Sequence, residues 1–509
     1  MSSTTTELGG RAATADLAID RSFIGGALVA GGGAEFCVWD PATGAPAATV
    51  RANDAAQISD AIRSARATFD SGSWSQAPRA DRIDAVVSLL DELDAARGQL
   101  IDVVIAETGC PRTMTELAQV GLALSSAREL VELFSRTDDW EHNELPLEQH
   151  VAGRTLRLSV RAYEAAGVAA LISPNNFPFI TNVWKAVPAM LAGCTVVLRP
   201  SPDTPLDALL MGAAASRSRL PAGVFHVVVE DGATGAGMLS SHPSVDVVSF
   251  TGSARVGRLI AAQAAPTLKR VILELGGKSI GLYLADVLDE GLEPVVTAAC
   301  GVFSAHAGQG CALQTRILVP AAQRDDVADA VAAAAAQQRI GDPRDASTVV
   351  GPLISEAQRD RVDGIIRAAM SAGARLVCGG RQPVGRDAGW YYEPTVLVVD
   401  DNDNPAVRDE IFGPVVTVQG YAGVDEAVEM ANDNDYGLSG AVYTNDLALG
   451  LSIAQRIRTG TVQVNAGHSS GYTAMGGYKQ SGYGRERGLL GLRAFQESKH
   501  IVVGSRSST

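Results

Sequence analysis

From Gly167 onward the chain settles into short, β-branched apolar runs at 168–172, 195–198, 224–229, 245–250 and 270–273, with helical stretches such as 204–216 and 254–264 between them. Strands that alternate with helices at this spacing build βαβ units, which require a parallel sheet covered by helices. The alternation restricts the chain to an α/β fold. It also says where a site belongs, because such sheets bind ligands beyond the carboxyl ends of their strands.

The flanking segments extend this reading. Upstream, helices are expected at 54–69, 80–107 and 113–136; in the second, Ile83, Val86, Val87, Leu90 and Leu93 recur at about 3.6 residues, so one face is buried. A second α/β region follows Gly276, with helices at 325–339 and 356–372 and strands near 395–399 and 415–419. Residues 156–163 alternate apolar and polar side chains as a half-solvated antiparallel strand does, and 498–503 is another short β-like run. Both read equally as ordinary sheet edges or as edges that pair with a neighbouring subunit. At about 150 residues per domain, a chain of 509 residues holds roughly three domains.

Composition removes several classes of function. The net charge is −15 with no dense Lys/Arg run, so there is no electrostatic footprint for nucleic acid or an anionic membrane surface. No stretch approaches the roughly 18 apolar residues of a membrane span. The first twenty residues read as a flexible tail without a secretory signal. Six cysteines (Cys37, Cys110, Cys194, Cys300, Cys311 and Cys378) are too sparse for a disulfide framework and form no Cys-x-x-Cys pair. A reducing cytoplasm and no metal are expected.

Four segments carry candidate chemistry. The run 245–250 leads into Thr251-Gly-Ser-Ala-Arg-Val-Gly257 and a helix, which places a glycine turn and free backbone N–H groups where a pyrophosphate can bind. The spacing is not G-x-G-x-x-G, so a purely structural turn stays open. Cys311 is flanked by Gly310 and Ala312, which leaves its sulfur accessible to a small electrophile; a nearby helix N-terminus or cation would raise its ionised fraction. A buried, packing cysteine is the alternative. Glu274 closes an apolar strand just before two glycines, where burial would raise its pKa toward a general base's range, or where it would serve as a cap or ion-pair partner. Asn176 follows the first strand of the sheet, placed to donate to a developing oxyanion or simply to shape a turn before Pro178.

In order and context these segments resemble the aldehyde dehydrogenase superfamily from about Phe23 to Val503. The resemblance rests on Pro174-Asn-Asn-Phe-Pro178, Phe250-Thr-Gly-Ser253, Leu273-Glu-Leu-Gly-Gly-Lys278, Gly308-Gln-Gly-Cys311, Glu410-Ile-Phe-Gly-Pro414 and Gly476-Gly-Tyr-Lys-Gln-Ser-Gly482. It implies two parallel-sheet α/β domains with a small β oligomerisation element: a tail at 1–20, a cofactor domain at 21–146 and 164–277, a catalytic domain at 278–492, and the oligomerisation element at 147–163 and 493–509. A homodimer or homotetramer follows by the same likeness.

The implied activity is NAD(P)-dependent oxidation of an aldehyde to a carboxylic acid. Cys311 would attack the carbonyl, Asn176 and the Cys311 N–H would hold the oxyanion, and Glu274 would activate the water that hydrolyses the thioester. Lys185 and Glu486 match residues that relay protons behind the base, with a plain ion pair as the alternative. Gly252, Ser253 and Gly257 match the pyrophosphate turn, Leu275 lies on the cofactor side, and Glu410 and Phe412 match the residues around the nicotinamide ribose.

Departures from the family pattern bear on specificity. Arg199-Pro-Ser-Pro202 stands where many relatives have lysine followed by Pro-Ser-Glu, so the adenosine ribose would meet a guanidinium and no glutamate. That leaves NADP open beside NAD. Ala474-Met475 replaces a frequent Pro-Phe, which widens one wall of the substrate funnel. The other funnel candidates are Phe177, Thr181, Trp184, Gly310, Ala312 and the 466–472 loop with His468. None of these positions is arginine, so an apolar or aromatic aldehyde is expected over a dicarboxylic semialdehyde. The chemical rival is a CoA-acylating relative, which Glu274 argues against; a short-chain alcohol dehydrogenase would need Tyr-x-x-x-Lys, which is absent. A binding protein on the same scaffold would be expected to lose the nucleophile or the base.

Overall fold

The computed structural model describes residues 20–138, 140–143, 151–152, 155–465 and 470–504. Of the expected tail, only Asp20 falls among them.

The strand runs after Gly167 form the centre of an eight-stranded sheet. Its parallel core runs Phe225–Val227, Thr195–Arg199, Val168–Ile172, Val247–Thr251, Arg270–Glu274 in spatial order, with Val168 opposite Thr195, Ala169 opposite Val247, and Thr251 opposite Glu274. Antiparallel strands close the two ends, Arg21–Ile24 beside Phe225–Val227 and Gly482–Tyr483 beside Arg270–Glu274. Val168–Ile172 and Thr195–Arg199 are buried at every position, as strands dominated by apolar residues should be when helices cover both faces. The strand order reverses between Val168–Ile172 and Val247–Thr251. That reversal is the topological switch point, and it opens a crevice beyond Ile172 and Thr251.

The chain passes to a second sheet between Glu274 and Ser279. Its seven strands run Arg375–Cys378, Thr395–Val398, Val415–Tyr421, Gln314–Pro320, Ser279–Tyr283, Ser439–Tyr443, Thr461–Val464. All neighbours are parallel except the first pair. Thr155–Ala165 and Gln496–Gly504 pair antiparallel along their lengths, from Ala165 opposite Gln496 to Arg157 opposite Gly504, and Trp140–His142 lies on the other side of Thr155–Ala165. The alternating 156–163 segment and the C-terminal run are therefore partners of each other.

Two helical expectations need correction. The 80–107 stretch is two helices, Arg79–Ala95 and Arg97–Thr108, divided at Ala96 with φ −91° and ψ 9°. Its first half is amphipathic, whereas Leu100, Ile101, Val103, Val104 and Ile105 are buried all round, so the chain bends to sink the second half into the core. The 113–136 stretch is helical but widens into a π-helical segment at Thr115–Leu122. Gly121 permits this: a Cβ there would lie 2.6 Å from the Glu116 carbonyl oxygen. Elsewhere the helices lie close to expectation, and Ala55–Asp70 opens with a reciprocal Asp54/Gln57 capping box.

The helix Pro178–Leu191 holds the site against the core. Phe179, Val183, Val187 and Met190 are fully buried on it, each contributing about 1.5–3 kcal/mol through burial. Its N-terminus follows Asn176 directly, so the packing of the helix fixes one wall of the crevice.

Candidate active site

The crevice at the switch point is a cavity of about 530 Å³. Asn176, Gly252, Ser253, Glu274, Leu275, Cys311, Glu410 and Phe412 line it together. Residues far apart in sequence thus converge on one space. Ser253 caps the helix Ala254–Ala264 by accepting from the Val256 N–H, while the Gly252 N–H donates to the Glu274 carbonyl at 3.0 Å. Gly257 does not face the cavity. A Cβ there would lie 2.7 Å from Leu275, so this glycine lets the helix close onto the strand end.

Three arginines on the cavity wall, Arg255, Arg258 and Arg361, were not singled out from the sequence. With the helix N-terminus they make this part of the crevice suited to a bound diphosphate. Glu410 accepts from the Gly277 N–H at 2.9 Å, and a Cβ on Gly276 would lie 2.3 Å from its other carboxyl oxygen. The glycine pair is what allows a carboxylate to stand at this rim.

Cys311 follows a turn built under constraint. His306 (φ 48°) and Ala307 (φ 52°) both adopt left-handed backbone, and at Gly308 (φ 74°) a Cβ would lie 1.9 Å from the Gly413 carbonyl oxygen. Gln309, fully buried, ties the turn down: its amide donates to the His306 carbonyl at 3.1 Å and accepts from the Ile354 N–H at 2.8 Å. The thiol is partly accessible, yet its pKa is pushed up to about 12, first by burial and then by the Glu410 and Glu274 carboxylates. The N–H groups of Cys311 and Ala312 pull the other way. Such a thiol is stored protonated, and ionising it requires a base.

Glu274 has the properties of one. Its carboxylate is buried, and neither oxygen has a hydrogen-bond partner among the described residues. Burial holds its pKa well above the ordinary carboxylate range, Glu486 adds to the rise, and Lys185 and Arg485 oppose it. A Cβ at Gly476 would lie 2.8 Å from Glu274 Oε1, so that glycine leaves the carboxylate room. Behind it, Lys185 is fully buried and pairs with Glu486; Lys185 Nζ donates to Ser249 Oγ at 2.8 Å, and Ser249 Oγ donates to Glu486 at 3.0 Å. Met475 and Glu486 exchange backbone hydrogen bonds of 2.7 and 2.9 Å. Asn176 Nδ2 donates to the Gln309 carbonyl at 2.6 Å, which orients the amide beside Cys311 and uses one of its two N–H groups.

The chain matches the model of the aldehyde dehydrogenase family over residues 29–501. It belongs to the aldehyde dehydrogenase family. Among curated relatives, the 3-succinoylsemialdehyde-pyridine dehydrogenase of a Pseudomonas species is 35% identical, with 92% of this chain and 95% of that protein covered. The geranial dehydrogenase of Castellaniella defragrans is 36% identical, with 87% and 90% covered. Among solved structures, aldehyde dehydrogenase C of Pseudomonas syringae with NAD+ and octanal superposes with a TM-score of 0.88 at 36% identity, covering 95% of this chain and 96% of that one. The fold is that of an aldehyde dehydrogenase.

Within that family frame, two sequence expectations change. Arg199 does not line the cavity: its Nε donates to Glu230 Oε1 at 2.7 Å, and the pair is almost completely buried. Glu230 also accepts from the Gly235 and Ala236 N–H groups at 2.5 and 2.9 Å. A carboxylate therefore does stand at this strand end, supplied by residue 230 although residue 202 is proline.

The second change concerns the funnel. A separate cavity of about 310 Å³ begins at Ala312, the residue after Cys311, and Met475 lines it too. So does Arg487, which the sequence reading did not place there. Trp184 meets Arg487 at the rim of a small adjoining gap, Phe177 packs edge-on against His306 at 5.3 Å, and Thr181 is buried. Phe177, Thr181 and Gly310 line neither large cavity. His468 lies outside the described residues. Among the described residues no cluster of potential ligands suits a metal, and no helix is long and apolar enough to cross a membrane.

Proposed function

We propose that this chain oxidises an aldehyde to the carboxylic acid with NAD through a thioester on Cys311, which water then hydrolyses. The observation that carries the reading is the meeting of Cys311, Glu274 and Asn176 on one cavity whose far wall suits a dinucleotide. NAD fits the residues present: the N–H groups around Ser253 with Arg255 and Arg258 would hold its diphosphate, and Glu410 would accept from ribose hydroxyls. Relatives solved with NAD+, the betaine aldehyde dehydrogenase of Staphylococcus aureus among them, support the assignment.

The steps follow from protonation states. The Cys311 thiol is held protonated, so its proton passes to Glu274 as the sulfur bonds to the aldehyde carbon. The resulting oxyanion is held by the remaining Asn176 N–H and by the Cys311 backbone N–H. Bound NAD supplies the acceptor for the hydride that leaves the thiohemiacetal carbon. Glu274, having released its proton toward the solvent side, then takes a proton from water. The hydroxide so formed attacks the thioester carbonyl, the C–S bond breaks, and the Cys311 thiolate that leaves takes the proton held by Glu274 to restore the thiol. A carboxylate whose oxygens have no hydrogen bonds among the described residues is free to serve both proton transfers. Lys185 and Glu486 act as positioning residues, setting the electrostatic field around Glu274.

The aliphatic part of the second cavity wall, with Leu438, Val462, Val464 and Met475, supports an aldehyde with an apolar body. The same division of labour gives the first sheet to the cofactor and the second to the nucleophile, and gives the Thr155–Ala165 and Gln496–Gly504 pair to subunit contact. Reduced-nicotinamide formation by the purified protein, with and without Cys311→Ala, tests the reading across aliphatic and aromatic aldehydes. Turnover should require Cys311; turnover retained by Cys311→Ala would sink the nucleophile assignment.

A further inference from the structure

Asn176 stands in the loop between the strand Val168–Ile172 and the helix Pro178–Leu191, so no regular hydrogen bonding of either element fixes its backbone. A side-chain amide aims an N–H at an oxyanion only as well as the backbone beneath it is held. Here the hold comes from 57 residues away: Gln119, fully buried, donates from Nε2 to the Asn176 carbonyl at 3.0 Å. His306 lies beside the same carbonyl, yet neither of its ring nitrogens makes a hydrogen bond among the described residues. From its side chain, Asn176 Nδ2 donates to the Gln309 carbonyl at 2.6 Å, and Gln309 is itself held by Ile354 and His306. A chain of amides thus runs from Gln119 through Asn176 to Gln309, next to the nucleophile.

The backbone that carries Gln119 points the same way. Gln119 lies within the π-helical segment Thr115–Leu122, which packs against Pro178–Leu191. Such widened turns are rare and frequently mark functional sites. In this one Gln119 is turned inward while Leu117 is 71% exposed, the reverse of what apolar burial alone would select. A buried amide costs free energy unless it is hydrogen-bonded, and the bond this one makes is to the oxyanion donor's own peptide.

We propose that Gln119 is a positioning residue for aldehyde oxidation: by holding the Asn176 carbonyl it sets where the remaining Asn176 N–H meets the oxyanion. The inference rests on the aldehyde-oxidation reading and deepens it. Gln119 lines neither large cavity, so it acts through Asn176 and not on the substrate. An oxyanion forms when the sulfur adds to the aldehyde and again when hydroxide adds to the thioester, and a loosened donor slows both steps. Alkylation of Cys311 by iodoacetamide displaces iodide at a saturated carbon, forms no oxyanion, and does not depend on Gln119.

The test is a double-mutant cycle in the full-length protein, with wild type, Gln119→Met, Asn176→Ala and the two changes together, assayed with NAD and an aliphatic aldehyde. Asn176→Ala should lower kcat by about 100- to 1,000-fold, the effect of losing one oxyanion donor. Gln119→Met should lower kcat by about 10- to 100-fold with KM for aldehyde and NAD unchanged, and should add little in the Asn176→Ala background. Iodoacetamide should alkylate Cys311 of Gln119→Met at the wild-type rate. Should Gln119→Met fail to fold, Gly121→Ala takes its place: a Cβ there presses on the Glu116 carbonyl and displaces the segment with Gln119 intact, which should lower kcat and spare alkylation in the same way. An equal fractional loss in both backgrounds, alkylation slowed in parallel, or kcat at the wild-type value would overturn the proposal and leave aldehyde oxidation standing. No turnover by the wild type would overturn the underlying reading as well.

Discussion

Lys185→Met leaves the carboxylate of Glu486 buried without its ammonium partner, while the Ser249 hydroxyl still donates to it. Lys185 is fully buried and Glu486 is 5% exposed, so water cannot replace the lost ammonium. Removing one partner of a buried pair costs about 3–5 kcal/mol, whereas removing both charges together is often close to neutral. Lys185→Met should therefore lower stability by about 3–5 kcal/mol, and Lys185→Met/Glu486→Gln should cost far less than the sum of the single changes. Thermal unfolding at neutral pH and matched scan rate reads the difference; at about 2–4 °C per kcal/mol, the single variant should melt on the order of 10 °C lower. The single variant should also move the acid limb of the pH–rate profile upward, because Lys185 opposes the rise in the Glu274 pKa. A cost below about 1 kcal/mol for Lys185→Met, or strict additivity in the double variant, would refute the view that this pair is a closed electrostatic unit behind the base.

Two further predictions address the nucleophile and the cofactor. With the Cys311 pKa pushed up to about 12, alkylation of that thiol by iodoacetamide in the absence of NAD should accelerate about tenfold per pH unit from about pH 7 to 9 without levelling; a plateau near neutrality would show a thiolate stored in the resting enzyme. Because Arg199 is matched by Glu230, the chain should prefer NAD to NADP, and Glu230→Gln should raise the NADP-to-NAD ratio of kcat/KM by about tenfold, the worth of one charge-assisted contact. An unchanged ratio would place the discrimination elsewhere.

How much of this was legible in the sequence depends on range. The parallel core was, because Val168–Ile172 is apolar at every position, its neighbours are largely so, and their spacing leaves room only for crossover helices. Cys311, Glu274 and Asn176 were picked out by the family resemblance, their local sequence leaving a packing or turn role open, and the fold brings them to one cavity. The break at Ala96 was not legible, since hydrophobic periodicity reports a buried face and carries no information about the direction of the helix axis. The Glu230 partner of Arg199 was missed because the two are 31 residues apart and meet only across adjacent strands. Arg487 was hidden differently: it sits in a run of glycines and charges that reads as a surface loop, yet in the fold it lines the second cavity. The charge around Cys311 was not legible either, since the sequence cannot place its spatial neighbours, and the Glu410 and Glu274 carboxylates bear on it.

The central claim is that Glu274 activates the water that releases a Cys311 thioester. Intact-mass analysis of Glu274→Gln, mixed with NAD and an aldehyde that the wild type turns over, tests it directly. The predicted result is a stable adduct of one acyl group per chain, absent from Cys311→Ala, with a single burst of reduced nicotinamide. Steady turnover at the wild-type rate with no adduct would contradict the assignment of the base.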